Sequence, residues 1–196
     1  MQRKTFDRLI SYIGVLLTAV LLVAGGLLTW AHNFVHDEVR TQLAAQQIYF
    51  PAKDSPAISA PEFAAMKKYG GQQLLTGKQA ETYADHFIAN HLKEIGGGKT
   101  YAQLSSQALA NPSDTKLAGT VETMFKGETL RGLLLNAYAF DTMGAIAGIA
   151  AIAAFVAAAV LAALSLLGFW HAGRTKPDRT IFAGRSPAGT REPAAV

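Results

Sequence analysis

The stretch that decides the fold is 142–170, "TMGAIAGIAAIAAFVAAAVLAALSLLGFW", which has no charged side chain over 29 residues. A second uncharged stretch, 9–31, "LISYIGVLLTAVLLVAGGLLTWA", lies near the other end of the chain. About 20 apolar residues in a helix span the ~30 Å hydrocarbon core of a bilayer. Both stretches exceed that length, so they predict two transmembrane helices rather than core helices of a water-soluble domain.

The first apolar stretch follows a basic segment, "MQRKTFDR" (1–8), as a secretory signal would. It is longer than the ~7–15-residue core of a signal peptide, and no small-x-small cleavage site follows it. The chain has no cysteine, which excludes a lipoprotein anchor and a disulfide framework. We therefore expect residues 9–31 to remain in place as a membrane anchor.

Basic residues flanking the two stretches predict the orientation. Residues 1–8 and 171–196 together hold eight of the 18 Lys and Arg residues and three of the 14 acidic ones, which leaves a net charge of −1 between them. Short segments rich in Lys and Arg stay on the cytoplasmic side, so both termini are expected in the cytoplasm of a bacterial cell. The high pI then reflects topology and attraction to anionic lipid, not nucleic acid binding.

These features divide the chain into five parts: a cytoplasmic N-terminus (1–8), transmembrane helix 1 (9–31), an extracytoplasmic helical domain (32–140), transmembrane helix 2 (141–170) and a disordered basic cytoplasmic tail (171–196). The outer segment contains no two-residue alternation of apolar residues with β-branched enrichment. The predicted fold class is therefore all-α, with two transmembrane helices in a hairpin topology flanking a small extracytoplasmic bundle of short helices.

Capping signals predict where the short helices begin. Ser59 with Glu62, and Thr76 with Gln79, have the spacing of a capping box, in which a hydroxyl and an acid or amide satisfy each other's backbone N–H groups. Three glycines at 96–98 end the second of these helices. Further along, Ser113 is expected to cap a helix that we predict to be interrupted by a glycine at 127.

Small residues in the second apolar stretch predict close packing of membrane helices. Helices associate in lipid where small side chains let the backbones approach. The partner could be the first span at Gly25-Gly26, another copy of the chain or another protein. Seven residues form the predicted seam: Gly144, Gly148, Ala151, Ala154, Ala158, Ala162 and Ser165. Four aromatic residues bracket the spans as interfacial anchors: Tyr12, Trp30, Tyr138 and Trp170.

The candidate metal ligands are His32 and His36, which lie one helical turn apart just after the first span. Histidines at this spacing can face one metal ion, and Asp37 or Glu38 could add an oxygen. The alternative is that they are polar side chains at the headgroup level. No nucleotide loop, serine elbow or cysteine nucleophile is present, so we expect no enzymatic activity and no cofactor.

Three stretches carry a resemblance: "TQLAAQQIYFPAK" (41–53), "YADHFIANHLKEIGGGKTYAQLSSQ" (83–107) and "FKGETLRGLLLNAYAFDTMG" (125–144). Together with the apolar stretches, over residues 10–171, they resemble an uncharacterised family of two-span membrane proteins of actinobacterial type. Some members carry the label of an aromatic ring-opening dioxygenase, which implies an iron site of histidines and a carboxylate. This sequence offers no such constellation, so the resemblance implies topology and no activity.

The sequence thus favours a non-enzymatic accessory or scaffold subunit of the cytoplasmic membrane. Its expected partners are the lipid bilayer and either further copies of itself or other membrane protein subunits, contacted through the outer domain and the small-residue seam. One alternative is a ligand- or metal-sensing outer domain that signals through the spans. A further alternative is a small oligomeric pore, although neither span has an ionisable residue in its interior.

Overall fold

The computed structural model describes residues 3–174, and within them the chain is helical, with no β-strand beyond a single bridge between Tyr49 and Gln73. The elements are the helix α1 (Arg3–Ala45), two 3₁₀ segments (Pro56–Ile58 and Pro61–Tyr69), the helix α2 (Gly77–Thr82), a π-helical segment (Tyr83–Ile88), and the helices α3 (Ala89–Ile95), α4 (Tyr101–Ala110) and α5 (Thr115–Arg174). The all-α prediction is confirmed, and the part of the predicted tail from residue 175 onward lies outside the described residues.

Two of these helices, over Lys4–Ala45 and Thr115–Arg174, are long and apolar enough to cross a membrane. The predicted spans 9–31 and 141–170 lie inside α1 and α5, which continue without a break beyond them. The predicted interruption at Gly127 is wrong. A Cβ atom at this position would collide with the side chain of Leu92, so the glycine serves close packing of α3 on α5 and does not end a helix.

Within the described residues, the fold divides into two compact units. The first comprises 3–27 and 150–174, and the second comprises Leu28–Ile149. In the first unit the contacts between α1 and α5 run in opposite order along the two helices: Ser11 lies against Gly168, Gly14 against Ser165, and Gly25 against Phe155. Most large apolar side chains of this unit are exposed, and its buried positions are small.

The second unit has a conventional apolar core. Ile58, Met66 and Leu74 are fully buried there. The whole cluster consists of Val39, Leu43, Phe50, Ile58, Phe63, Met66, Leu74, Ala80, Ala84, Ile88, Leu92, Leu104, Met124 and Leu134. Its members come from every helix of the unit, so α1 and α5 contribute to the same core as the short helices between them.

The capping box predicted at Thr76 is present. The Thr76 hydroxyl accepts the N–H of Gln79, and the Gln79 side chain accepts the N–H of Thr76 at 3.1 Å. A second box, Thr100 with Gln103, starts α4 and has the same spacing in the sequence. Satisfying the free N–H groups of the first turn in this way fixes where each helix begins.

Two other predicted caps are wrong. Ser59 caps no helix, because its hydroxyl donates to the carbonyl of Pro56, and the 3₁₀ segment that follows has no side-chain cap. At the start of α5 the cap is Asp114, whose carboxylate accepts the N–H of Leu117 at 2.9 Å, and not Ser113. An ionised carboxylate also interacts favourably with the positive end of the helix dipole.

Candidate functional site at the histidine pair

His32 and His36 stack along one face of α1, with ring centroids 4.5 Å apart and the ring planes at 76°. The continuous helix produces this arrangement, because residues four apart lie one above the other on the same face. Both side chains are half-buried. The sequence prediction that the pair could face one ligand position is therefore compatible with the geometry.

Each ring is held through its Nδ1 atom by an oxygen of α5. His32 Nδ1 lies 2.8 Å from the carbonyl oxygen of Gly144, and His36 Nδ1 lies 2.6 Å from Oδ1 of Asp141. A carbonyl can only accept a hydrogen bond, so Nδ1 of His32 carries the proton and donates it. The Asp141 carboxylate also accepts a hydrogen bond, so Nδ1 of His36 likewise carries a proton and donates it.

The carboxylate of Asp141 joins three elements of the second unit. One oxygen contacts His36 of α1, and the other accepts the backbone N–H of Gly77, the first residue of α2, at 3.1 Å. A Cβ atom on Gly77 would collide with the Asp141 side chain, so this contact requires glycine. The Asp141 side chain is only 21% exposed, which strengthens both interactions relative to a fully solvated pair.

Gly144 and Gly148 give the histidine rings room beside α5. A Cβ atom on Gly148 would lie 2.8 Å from His32 Nδ1, and one on Gly144 would lie 3.1 Å from Cγ1 of Val35. These two residues belong to the predicted small-residue seam, and here they meet a polar ring and a valine of α1. The G-x-x-x-G spacing thus lets α5 approach α1 where the histidines lie.

The acidic residues next to the histidines in sequence do not join them. Asp37 and Glu38 are exposed, and Glu38 accepts a hydrogen bond from Gln42 at 2.7 Å. The oxygen beside the pair comes instead from Asp141, which the sequence reasoning missed because no local pattern connects it to His36. Among residues 3–174, no group of three or more His, Asp or Glu side chains is placed to hold a metal ion.

The remaining seam residues lie in the first unit. Ala151, Ala154, Ala158 and Ser165 are buried, and Ala162 is half-buried. Ser165 lies against Gly14 of α1, whereas a Cβ atom on Gly26 would meet nothing within 4 Å. The buried face of α5 is therefore turned toward α1 of the same chain, and of the two glycines proposed to receive the seam only Gly25 has a close neighbour, Phe155.

The four predicted anchors have exposed or half-buried rings. Tyr12 is 64% exposed and makes an edge contact with Phe169, with centroids 5.1 Å apart. Trp30 is 65% exposed and stacks on Phe34. The other two contact cations, which adds a favourable electrostatic term: Lys78 Nζ lies 5.5 Å from the Tyr138 ring, and the Arg174 guanidinium lies 3.8 Å from the Trp170 ring.

Two further histidines of the second unit lie apart from the pair. His91 donates from Nδ1 to the carbonyl of Phe87 at 2.7 Å, and its ring packs between those of Phe63 and Phe87. His86 lies in the π-helical segment, which was not predicted. Within the described residues, the ring contacts of His91 are to phenylalanine.

Three groups of the second unit have shifted pKa values. Burial raises the pKa of the Tyr83 phenol. A hydrogen bond from Lys126 lowers the pKa of Glu122, and a hydrogen bond to Glu81 raises the pKa of Lys78. The Lys126–Glu122 and Lys78–Glu81 pairs lie at the surface. Among these three groups, therefore, only Tyr83 has a pKa that is shifted by burial in the core.

Comparisons with family models, with curated proteins and with solved structures found no match.

Proposed function

We propose that the chain is a non-enzymatic integral membrane protein, an accessory or scaffold subunit with two transmembrane helices and an outer helical domain. The observation that carries this proposal is the distribution of apolar side chains in the first unit, which is the reverse of that in a water-soluble protein. Its large apolar side chains point outward, among them Leu16 at 65%, Val23 at 64% and Leu166 at 70% exposure. An apolar surface of this kind is costly in water and costs nothing against lipid chains.

The packing of the two long helices supports the same proposal. Between them lie small residues, including Ala154 at 9%, Ala158 at 1% and Ser165 at 4% exposure. Helix association in lipid gains little from apolar burial, because lipid chains are apolar too, and depends on close backbone contact. A helix pair in a bilayer is expected to have small residues between the two helices and large apolar residues on the surface that faces lipid.

The proposed orientation places the ends of the chain in the cytoplasm and the second unit outside. The basic residues beside the spans support this assignment through the positive-inside rule. The exposed rings of Trp30 and Trp170 support the spanning arrangement but not its direction, since tryptophan favours both membrane interfaces. With this orientation the outer domain is anchored by two helices, and both of them contribute to its core.

Surfaces for association are offered by the outer domain. The small-residue face of α5 in the first unit is already buried within the chain, which leaves less of it for a partner. The domain exposes Leu109 at 79%, Phe125 at 55% and Leu133 at 57%. Removing exposed apolar surface from water favours association, so these residues are the proposed points of contact with a second copy of the chain.

Mass measurement of the purified protein in lipid nanodiscs tests this function. We expect particles with more than one chain, and we expect Leu133→Glu to reduce their number because it places a charge in the contact. Ser106→Glu, at an exposed polar position, is the matched control and should leave the mass unchanged. Single chains across a range of concentrations, in wild type and variant alike, would contradict self-association.

A second candidate is sensing of a ligand or metal by the outer domain. The observation that favours it is the Asp141 carboxylate, which contacts α1 through His36 and α2 through Gly77. Binding at this point would affect both elements together. A thermal-shift screen of the full chain discriminates the two functions: a ligand that stabilises wild type but not Asp141→Asn favours sensing, and the absence of any stabiliser speaks against it.

A further inference from the structure

We propose that His32 and His36 bind one divalent transition-metal ion, of the kind that imidazole prefers, through their two Nε2 atoms. Zn²⁺, Cu²⁺ and Ni²⁺ belong to this class. Water fills the other coordination positions. The inference rests on the geometry of the pair and is independent of whether the protein self-associates.

The first step concerns the protons on the rings. Every hydrogen bond or ion pair that the described residues make to these two side chains uses Nδ1. The acceptors are a backbone carbonyl for His32 and a carboxylate for His36, so both rings carry their proton on Nδ1. In the neutral imidazole, Nε2 then has its lone pair available, and this is the form that binds a metal.

The second step concerns distance and direction. Both rings project from the same face of one continuous helix, and their centroids lie 4.5 Å apart. Two imidazoles that share one ion, each binding it through nitrogen at ~2.0–2.1 Å, must lie about as close together as these rings do, so the centroid distance is compatible with a shared ion. His91 shows the contrast, because its Nδ1 is held by the Phe87 carbonyl but its neighbours are phenylalanine rings.

The third step concerns the groups behind the rings. Metal-binding histidines usually donate their second N–H to a carboxylate or a backbone carbonyl, which fixes the ring and raises its basicity. Here one histidine has each type of acceptor, at 2.6 Å from Asp141 and at 2.8 Å from Gly144. Asp141 is itself held by the N–H of Gly77. This support is what a preorganised pair of metal ligands requires.

The last step concerns the kind of site. The His36 side chain is 35% exposed, so water can reach an ion at the pair. The described residues place no third His, Asp or Glu side chain to complete a closed site. A closed structural zinc site has four protein ligands, so the proposed site is an open one that exchanges its ion with the surrounding solution.

Copper is the probe with the sharpest readout, because Cu²⁺ has the highest affinity of the divalent series and reports bound nitrogens by electron paramagnetic resonance. The full-length protein, free of any histidine tag, is titrated with Cu²⁺ in nanodiscs. We expect one ion per chain and a spectrum with two imidazole nitrogens. His32→Ala and His36→Ala should each leave one nitrogen and weaken binding at least ~10-fold, and Asp141→Asn should weaken it ~10–100-fold.

His86→Ala is the matched control and should change neither the affinity nor the spectrum. Circular dichroism verifies that each variant is folded. His32→Ala removes one nitrogen by itself, so it tests the pair even if His36→Ala does not fold. A wild-type spectrum without two imidazole nitrogens would overturn the proposal, as would equal affinities in wild type and the His32→Ala variant.

Discussion

The side chain of Ser165 on α5 lies against Gly14 on α1, at a point where a Cβ atom on residue 14 would collide with the serine hydroxyl. The same relationship recurs in reverse, because Ser11 on α1 lies against Gly168 on α5. Each helix thus carries a serine and a glycine three residues apart, and each serine lies on the glycine of the other helix.

This contact predicts that a larger residue at position 14 separates the helices. Gly14→Val should lower the free energy of unfolding by about 1–3 kcal/mol, because overpacking forces side chains and backbone to shift. Gly26→Val is the control, since a Cβ atom there meets nothing within 4 Å and both changes place the same residue in the same helix. Unfolding in mixed micelles with increasing SDS, followed by tryptophan fluorescence, measures the difference; equal losses would contradict the contact.

Two glycines of α5 in the second unit predict that the same Gly→Ala substitution changes the stability of the protein in opposite directions. Gly127→Ala should destabilise the protein by about 1–3 kcal/mol, because the new methyl group meets the side chain of Leu92. Gly132→Ala should stabilise it by about 0.5–1 kcal/mol, since the position is open and alanine has the higher helix propensity. Thermal unfolding by circular dichroism compares the two, and the same sign for both would be inconsistent with the packing.

Tyr83 predicts a loss of stability in alkaline solution. Burial raises the pKa of its phenol above the ordinary value near 10, so the unfolded chain loses this proton first. The contribution of the neutral phenol is fully present below the unfolded pKa and is lost as the pH rises through the folded one. Between pH 9 and pH 11 wild type should therefore lose more stability than Tyr83→Phe.

The control for this measurement is Tyr49→Phe, because the Tyr49 ring is 57% exposed. It should keep the alkaline loss of wild type. Denaturation midpoints at the two pH values give the comparison, and a Tyr83→Phe protein that loses as much stability as wild type would show that this phenol does not contribute.

The sequence predicts features that depend on a few adjacent residues, and it does not predict features that depend on contacts between distant parts of the chain. The Thr76 box and the helix end at 96–98, where Gly97 and Gly98 adopt positive φ angles of 57° and 78°, are visible in a few adjacent residues. The Thr100 box could have been recognised by the same spacing. The break expected at Gly127 is wrong because its local signal is overridden by packing against Leu92, which comes from another part of the chain.

The candidate site was predictable only in part, for the same reason. The helical spacing places His32 beside His36, and no more than that spacing is needed to predict the pair. The supporting oxygens come from Gly144 and Asp141, which are distant in sequence. The π-helical segment around His86 likewise has no signal in the sequence that the regular 3.6-residue period could reveal.

The proposed membrane topology is tested most directly by single cysteines, which the cysteine-free chain permits without background. Ser106→Cys, Thr5→Cys and Leu166→Cys place an exposed label site in the second unit, at the N-terminal end of α1 and on the apolar surface of the first unit, respectively. In intact cells a membrane-impermeant maleimide should label position 106 alone. After permeabilisation position 5 should react as well, and position 166 should react only in detergent. Labelling of position 166 in the membrane, or of positions 5 and 106 from the same side, would contradict the account.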